Sequence, residues 1–475
     1  MLKAESAAAS AAAGGGEAPD RFSRGYRGWL LFILCAINAL NLADRQGMAA
    51  TAPAIKIDLQ LTDTQLGLVQ GLGFAIFYTL MGLPMARLAE RRSRAKIISL
   101  SIGLFGAMVA LCGSVRGFWQ LLMLRVGVGI GDAGFGPPVA SLVGDHYPMR
   151  KRASAMTIIW LGAPIGAMAG AVLGGWVTQH SNWRYWFIGL GVPSLLLAVI
   201  AWFTLRDPPR GMSDPQGVAA GPPPSIMTVF RFLSRKRSMI HILIGAALAA
   251  AAMNGIGQFL ARFLVGVFHI GYAEAGTMIG IISTLSMASG LALGGFGMDW
   301  ASRFDIRWYV WGPAIGLALA MPLFWAGVNQ STTMATMLVL IPAHAVLFVY
   351  YTPTLAIAQN MVGANMRASA AFLVSFVLGF VGIGFGPTII GIMSDLLAQH
   401  AFTLGDFAAM CPGGAAPPGA PADLAAACSQ ASADGIRNAL GAITILLGWA
   451  AVHYLLAGRS LRRDLDTHYE AEAVA

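Results

Sequence analysis

Long apolar segments alternate with short polar connections along almost the whole chain. Twelve of these segments are long enough to cross about 30 Å of hydrocarbon as α-helices. The pattern therefore predicts an all-α membrane protein with twelve transmembrane helices. Residues 1–26 are different: they are rich in Ala, Ser and Gly and lack the continuous apolar core of a signal peptide, so we expect a disordered tail.

Two of the apolar segments contain charged residues. Asp44 and Arg45 are the only charged residues between residues 29 and 55, and Arg125 and Asp132 lie in a second segment, 118–144. A charge at bilayer depth costs at least a few kcal/mol, so such residues usually face the protein interior and mark a substrate or proton path. This cluster predicts a transporter.

Composition supports a membrane location. The chain is 56% hydrophobic and 11% charged, with a mean hydropathy of +0.65, outside the usual soluble range. Most of its 31 Lys and Arg residues fall in the tails and in alternate connections, which predicts an inner-membrane protein with both termini cytoplasmic. This topology explains the net charge of +9 without a nucleic-acid partner.

The chain divides into two halves. A Pro-rich connection, 206–238, separates a predicted six-helix bundle, 27–205, from a second one, 239–458, which is followed by a cytoplasmic tail, 459–475. The sequence Arg-Ala-Ser-Ala recurs before the fifth and eleventh predicted helices, at 152–155 and 367–370. Two parallel-related halves of six helices resemble the major facilitator superfamily, in which substrate binds between the halves at midplane.

An acidic residue followed by basic residues occurs after both the second and the eighth predicted helix. These segments resemble the superfamily's signature loop, which implies a cytoplasmic gate formed by Glu90, Arg94, Asp299 and Arg303. This chain departs from the usual pattern, with Ala86 in place of the leading Gly and with Glu90 in place of Asp. The alternative is that these charges only set the topology.

The spacing of the charged cluster suggests a mechanism. Arg125 and Asp132 are seven residues apart and share one helix face, and Asp44 lies at about the same membrane depth as Arg125. Asp44 can therefore meet Arg125 and leave Arg45 near Asp132, although the opposite pairing is also possible. We expect Asp44, Asp132 and Arg125 to couple transport to protons, the alternative being two static ion pairs.

At these residues the resemblance narrows. The segments 41–45 and 125–133, the aromatic stretch 73–83 and the segment 204–211 resemble bacterial members of the Spinster family. That family implies proton-linked transport of lysophospholipids or phosphorylated sphingoid lipids, although its motif has Glu where this chain has Asp132. The alternative resemblance is to organic-anion symporters, which transport substrates such as sugar acids. In both, Arg45 would bind the substrate anion, with Asn41 beside it.

The second half adds fewer charges and several polar candidates. We expect Asn254, Gln258, Tyr350 and Tyr351 to contact the substrate, with a helix break near Asn254. Little charge in this half favours an amphipathic lipid over a sugar acid. No metal-spaced His/Cys set, catalytic triad or nucleotide loop supports a membrane enzyme or receptor. No cofactor is therefore expected, apart from protons as the coupling ion. We also expect the protein to act as a monomer.

The four cysteines differ in their predicted surroundings. Two lie in apolar helices, whereas Cys411 and Cys428 lie in a long connection, 399–434, that is predicted to be extracytoplasmic. An oxidising compartment permits a disulfide between the second pair. The alternative is two unlinked thiols in a flexible loop.

Overall fold

The computed structural model describes residues 22–147, 149–209, 225–363 and 366–473; the side chains of residues 90, 149, 150, 153, 368 and 466–473 are not described. Twelve helices in this part of the chain are long and apolar enough to span a membrane, which confirms the predicted number. They are α1 Arg24–Asp58, α2 Asp63–Ala89, α3 Arg94–Cys112, α4 Phe118–His146, α5 Ser154–His180, α6 Trp183–Thr204, α7 Arg237–Phe268, α8 Tyr272–Ser302, α9 Trp308–Val328, α10 Thr333–Asn360, α11 Ser369–Ala401 and α12 Ala422–Leu465.

Short polar side chains begin several of these helices by accepting a hydrogen bond from a free backbone N–H. Ser23 accepts from Tyr26 N before α1, and Thr62 and Gln65 form a reciprocal capping box at the start of α2. The local sequence therefore fixes where these spans start. The connection between them, residues 59–62, marks the end of the bundle that we call the outer end, following the predicted orientation.

Small residues let α1 and α5 pack closely in the first half. Every fourth residue of α5 from Gly162 to Gly174 is a glycine, and these glycines face α1. A Cβ atom on Gly170 would lie 2.3 Å from the Ala43 carbonyl oxygen, so only glycine allows this approach. The packing holds the charged part of α1 at a fixed depth in the bundle.

The two halves contact each other at the outer end. A Cβ atom on Gly175 of α5 would lie 2.3 Å from the Tyr272 carbonyl oxygen of α8, and one on Gly391 of α11 would lie 2.2 Å from the Asp63 carbonyl oxygen of α2. Helices from different halves thus approach at van der Waals distance there. The outer end is closed in this structure.

Several predicted boundaries and breaks need correction. α7 is continuous through Asn254, whose side-chain amide donates to the Ala250 carbonyl 2.9 Å away within the same helix. The interruptions occur elsewhere: α2 breaks at Gly71, and π-helical segments interrupt α8 at Leu293–Gly297 and α11 at Leu378–Phe385. Because the Asn254 amide forms its hydrogen bond within α7, it does not require a break in that helix.

The connections also differ from the predicted ones. The predicted loop 399–434 is shorter, because α11 continues to Ala401 and α12 begins at Ala422, with a short helix, Phe407–Met410, between them. The linker contains a helix, Ile226–Ser234, and residues 210–224 lie outside the described part. Helix also continues beyond residue 459, where a tail is predicted. Most of the predicted N-terminal tail, residues 1–21, lies outside the description.

Cys411 and Cys428 are joined by a disulfide, with their Cα atoms 5.6 Å apart. Cys411 follows the short helix of the outer connection, and Cys428 lies in the first part of α12. The bond therefore ties the connection to the start of the last span. The remaining cysteines, Cys35 and Cys112, are free.

Candidate functional site

The four charged residues of α1 and α4 form two ion pairs between these helices. Asp44 Oδ2 accepts from Arg125 Nη1 at 2.7 Å, and Arg45 donates to Asp132. Adjacent residues on a helix point about 100° apart, so Asp44 and Arg45 reach different turns of α4. Of the two pairings that the sequence left open, this is the one that the structure contains.

The two pairs differ in exposure. Asp44 is 0% exposed and Arg125 2%, whereas Asp132 is 7% exposed and the Arg45 side chain 21%. Asp44 Oδ1 accepts no hydrogen bond from the part of the chain that the structure describes. The first pair is therefore sealed within the bundle, whereas the Arg45 side chain is partly exposed.

Aromatic rings and an amide surround the second pair. The Arg45 guanidinium lies 4.6 Å from the centre of the Phe74 ring and 4.9 Å from that of Tyr78, which is cation–π geometry. Asn41 Nδ2 donates to Asp132 Oδ1 at 2.6 Å. Asn41 is buried and orients Asp132, and its contact with substrate stays a prediction.

A central cavity of about 190 Å³ lies between the halves, lined by residues of α1, α5, α7, α8 and α10. Its polar lining includes Asn254 and Gln258, where the sequence predicted them. It also includes Gln46, Ser283 and Thr284, which sequence analysis missed; Gln46 follows Arg45 directly and could have been recognised as a polar residue in an apolar helix. The second half is therefore more polar at this cavity than expected.

The two adjacent tyrosines have different surroundings. Tyr350 is 0% exposed, whereas Tyr351 is 37% exposed. Adjacent helical side chains point in different directions, so the two tyrosines differ in accessibility. The contact of either tyrosine with substrate stays a prediction.

The predicted gate residues do not pair across the halves in the described part of the chain. Arg94 forms ion pairs with Asp145 of the first half and with Asp207 at the start of the linker. Asp299 accepts from the Tyr309 hydroxyl at 2.7 Å in the second half, and Arg303 is exposed. The side chain of Glu90 lies outside the description. The close contacts between the halves lie at the outer end, and the oppositely charged gate residues whose side chains are described are apart at the inner end.

Arg94 organises the inner end of the first bundle. Asp207 accepts from both the backbone N–H and the Nε of Arg94, at 2.7 and 2.8 Å, so it caps α3 and neutralises its first residue. The Pro208 carbonyl accepts from Nη2 at 2.7 Å. Asp207 and Pro208 belong to the segment 204–211 on which part of the family resemblance rests, and their role could not be read from the sequence.

Comparisons with known proteins agree with this architecture. The model of the Major Facilitator Superfamily matches residues 34–387. The crystal structure of a bacterial homolog of the human lysosomal transporter Spinster, in an inward-facing and unoccupied conformation, superposes with a TM-score of 0.85 and 29% identity, covering 93% of this chain and 99% of that one.

Two relatives are named for different functions. An MFS-type efflux pump of Mycolicibacterium smegmatis is 29% identical over 77% of this chain and 84% of its own length. A hexuronate transporter of Bacillus subtilis is 26% identical over 77% of this chain and 87% of its own length. The chain therefore belongs to the major facilitator superfamily, and it is a multi-pass membrane transporter of the Spinster type rather than an enzyme.

Proposed function

We propose that this protein is a proton-coupled transporter of amphipathic anions of the lysophospholipid or sphingoid-phosphate type, working by alternating access in the inner membrane with both termini cytoplasmic. The observation that carries the proposal is the Arg45–Asp132 pair. A guanidinium at bilayer depth, partly exposed and flanked by Phe74 and Tyr78, suits a phosphate or carboxylate joined to an apolar body.

The coupling step follows from competition for Arg45. Arg45 and Asn41 hold the two oxygens of Asp132. A substrate anion that binds Arg45 weakens its contact with Asp132, and a carboxylate that loses its counter-charge in a low-dielectric site takes up a proton. Substrate and proton would then be loaded together. The sealed pair, Asp44 and Arg125, adds a second carboxylate whose free oxygen can accept a proton.

A lipid substrate is supported by the Spinster-type architecture and by the aromatic surroundings of Arg45. Phe74 and Tyr78 stack on each other, with ring centres 5.3 Å apart. Such a surface suits the apolar part of an amphipath. The charged residues of the site all come from the first half, which gives the site one polar and one less polar side.

A small organic anion, such as a sugar acid, is the second candidate. The central cavity of about 190 Å³ is below the usual range of about 300 to 1,000 Å³ for ligand sites, and an acyl chain would not fit in it. Its amide and hydroxyl lining, from Gln46, Asn254, Gln258, Ser283 and Thr284, also suits a sugar better than a chain. The similarity to a hexuronate transporter points in the same direction.

Uptake into proteoliposomes under an imposed pH gradient separates the two candidates. The uptake of labelled lysophosphatidylglycerol and the uptake of labelled glucuronate are each measured for three proteins: the wild type, Arg45→Gln and Arg184→Gln. Arg184 is the matched control because it pairs with Asp58 at the outer surface of the same half, away from the site. The proposal is supported if the pH gradient drives uptake of the lysolipid, Arg45→Gln abolishes that uptake and Arg184→Gln retains it. The second candidate is supported if glucuronate alone shows this pattern.

A further inference from the structure

A second buried ion cluster lies at the closed outer end of the molecule. Lys56 Nζ of α1 is 2.5 Å from Asp63 Oδ1 of α2, and Arg262 Nε of α7 is 3.5 Å from the same oxygen. All three side chains are buried. One carboxylate thus serves two cations, and the Asp63–Arg262 contact joins the two halves.

The other carboxylate near this cluster is already engaged. Asp395 of α11 accepts from the backbone N–H groups of Asp63 and Thr64, at 2.9 and 2.7 Å, and so caps the start of α2. Asp395 nevertheless keeps its negative charge near the two cations. The cluster therefore contains two cations and two carboxylates, and Asp63 is the carboxylate in direct contact with both cations.

A cavity of about 500 Å³ lies next to the two cations. Lys56, Arg262, Ser429 and Ser432 line it, together with His269 at its rim, and no Asp or Glu is among the described residues of its lining. Arg262 Nη2 donates to the Ser432 hydroxyl. The cavity is therefore a basic, hydroxyl-lined space beside the buried ion cluster.

The outer connection covers this cavity through two glycines. Gly413 and Gly414 have φ of +69° and +82°, a conformation that side chains other than glycine rarely adopt. A Cβ atom on Gly414 would lie 2.7 Å from the Ser432 hydroxyl and 3.1 Å from Lys56 Nζ. Gly413 and Gly414 follow Cys411 closely, and the Cys411–Cys428 disulfide ties this segment to α12. The disulfide therefore fixes the position of this wall of the cavity.

We propose that this cavity is an anion site at the outer end, where Lys56, Arg262 and Ser432 bind a phosphate or carboxylate group. The site is separate from the central one and goes beyond the proposed function, because it does not depend on proton coupling or on the transported substrate. Charge-assisted hydrogen bonds from buried cations are strong. The bound anion competes with Asp63 for Arg262, weakens a contact between the halves and thereby favours opening of the outer end.

Binding is tested with inorganic phosphate and purified full-length protein, by calorimetric titration and by thermal unfolding. Wild-type protein should bind phosphate, and Arg262→Gln should bind it at least about tenfold more weakly. Ser429→Trp, which fills the cavity from an exposed position without altering the ion cluster, should do the same even if Arg262→Gln unfolds. Arg184→Gln should bind phosphate like wild type.

The controls keep the two proposals distinguishable. Absence of phosphate binding, or binding that Ser429→Trp leaves unchanged, overturns the outer site whatever the transport assay shows. A titration with lysophosphatidylglycerol identifies the molecule that supplies the anionic group. If this lipid competes with phosphate and Ser429→Trp removes the competition, the site binds a lipid head group. If the lipid does not compete, the site binds a free anion.

The effect on the halves is measured by the distance between spin labels on exposed residues of the outer connections. Arg116 lies in the first half and Ser331 in the second, and Cys35 and Cys112 would first be replaced. Phosphate should increase the population of long distances, and Ser429→Trp should prevent the change. Phosphate binding without any change in the distance distribution would refute the competition with Asp63.

Discussion

Replacing Asp132 by Asn separates proton coupling from anion binding. The amide has nearly the shape of the carboxylate but presents one acceptor oxygen in place of two. Asp132 accepts from Asn41 at one oxygen and from Arg45 at the other, so the amide can keep one of these bonds and loses the ion pair. Arg45 is then left free for the substrate.

The size of the effect follows from the exposure of the pair. Breaking a fully buried ion pair costs about 3–5 kcal/mol, and an exposed pair contributes about 0–1 kcal/mol. Arg45 is 21% exposed, so we take about 2 kcal/mol as the contribution of the pair. A substrate anion that no longer displaces Asp132 should gain up to that amount, roughly ten- to thirty-fold in affinity.

The assay measures substrate binding and gradient-driven uptake over the acidic to neutral range. Asp132→Asn should bind substrate more tightly, with little dependence on pH, and should fail to accumulate it under a proton gradient. Asp145→Asn is the matched control: Asp145 is equally exposed, at 7%, and also pairs with an arginine, Arg94, but at the inner end of the bundle. Unchanged pH dependence in Asp132→Asn, or an equal loss in Asp145→Asn, would refute the reasoning.

Three further predictions concern the stability of the folded protein. Asp44→Asn leaves its buried arginine partner without a counter-charge and should lower the free energy of unfolding by about 3–5 kcal/mol, measured by thermal or denaturant unfolding in detergent; a change below 1 kcal/mol would contradict the sealed pair. Gly170→Ala should cost about 1–3 kcal/mol because its Cβ would overlap α1, whereas Gly189→Ala, with open space around it, should be near neutral. Reducing the Cys411–Cys428 disulfide should cost about 3 kcal/mol, with mass spectrometry after alkylation to verify the bond; an unchanged unfolding midpoint would contradict this.

The sequence was sufficient for the features that depend on local composition. Each span is recognised from its own apolar length, because the bilayer sets that length independently of the rest of the fold. Asp44, Arg45, Arg125 and Asp132 were identified because a charge is rare in such a segment. Helix geometry then placed Asp44 level with Arg125, and the structure contains that pairing.

Neighbours in space decided what local rules leave open. Tyr350 and Tyr351 have the same side chain and nearly the same position in the sequence, yet one is buried and the other is 37% exposed. The hydrogen-bond partner of Asn41, Asp132, lies on another helix and 91 residues away. The partners of Arg94 are more than 40 residues away in the chain, at a distance no periodicity can specify.

The sequence by itself determined the number of spans, the division into halves and the presence of four charged residues inside α1 and α4, because hydropathy and charge act on each segment separately. Only the tertiary structure decided which groups pair, which end is closed and where two cations share Asp63. Those outcomes depend on close approach between helices far apart in the chain, and the glycines that permit it look alike in sequence whether they face lipid or another helix.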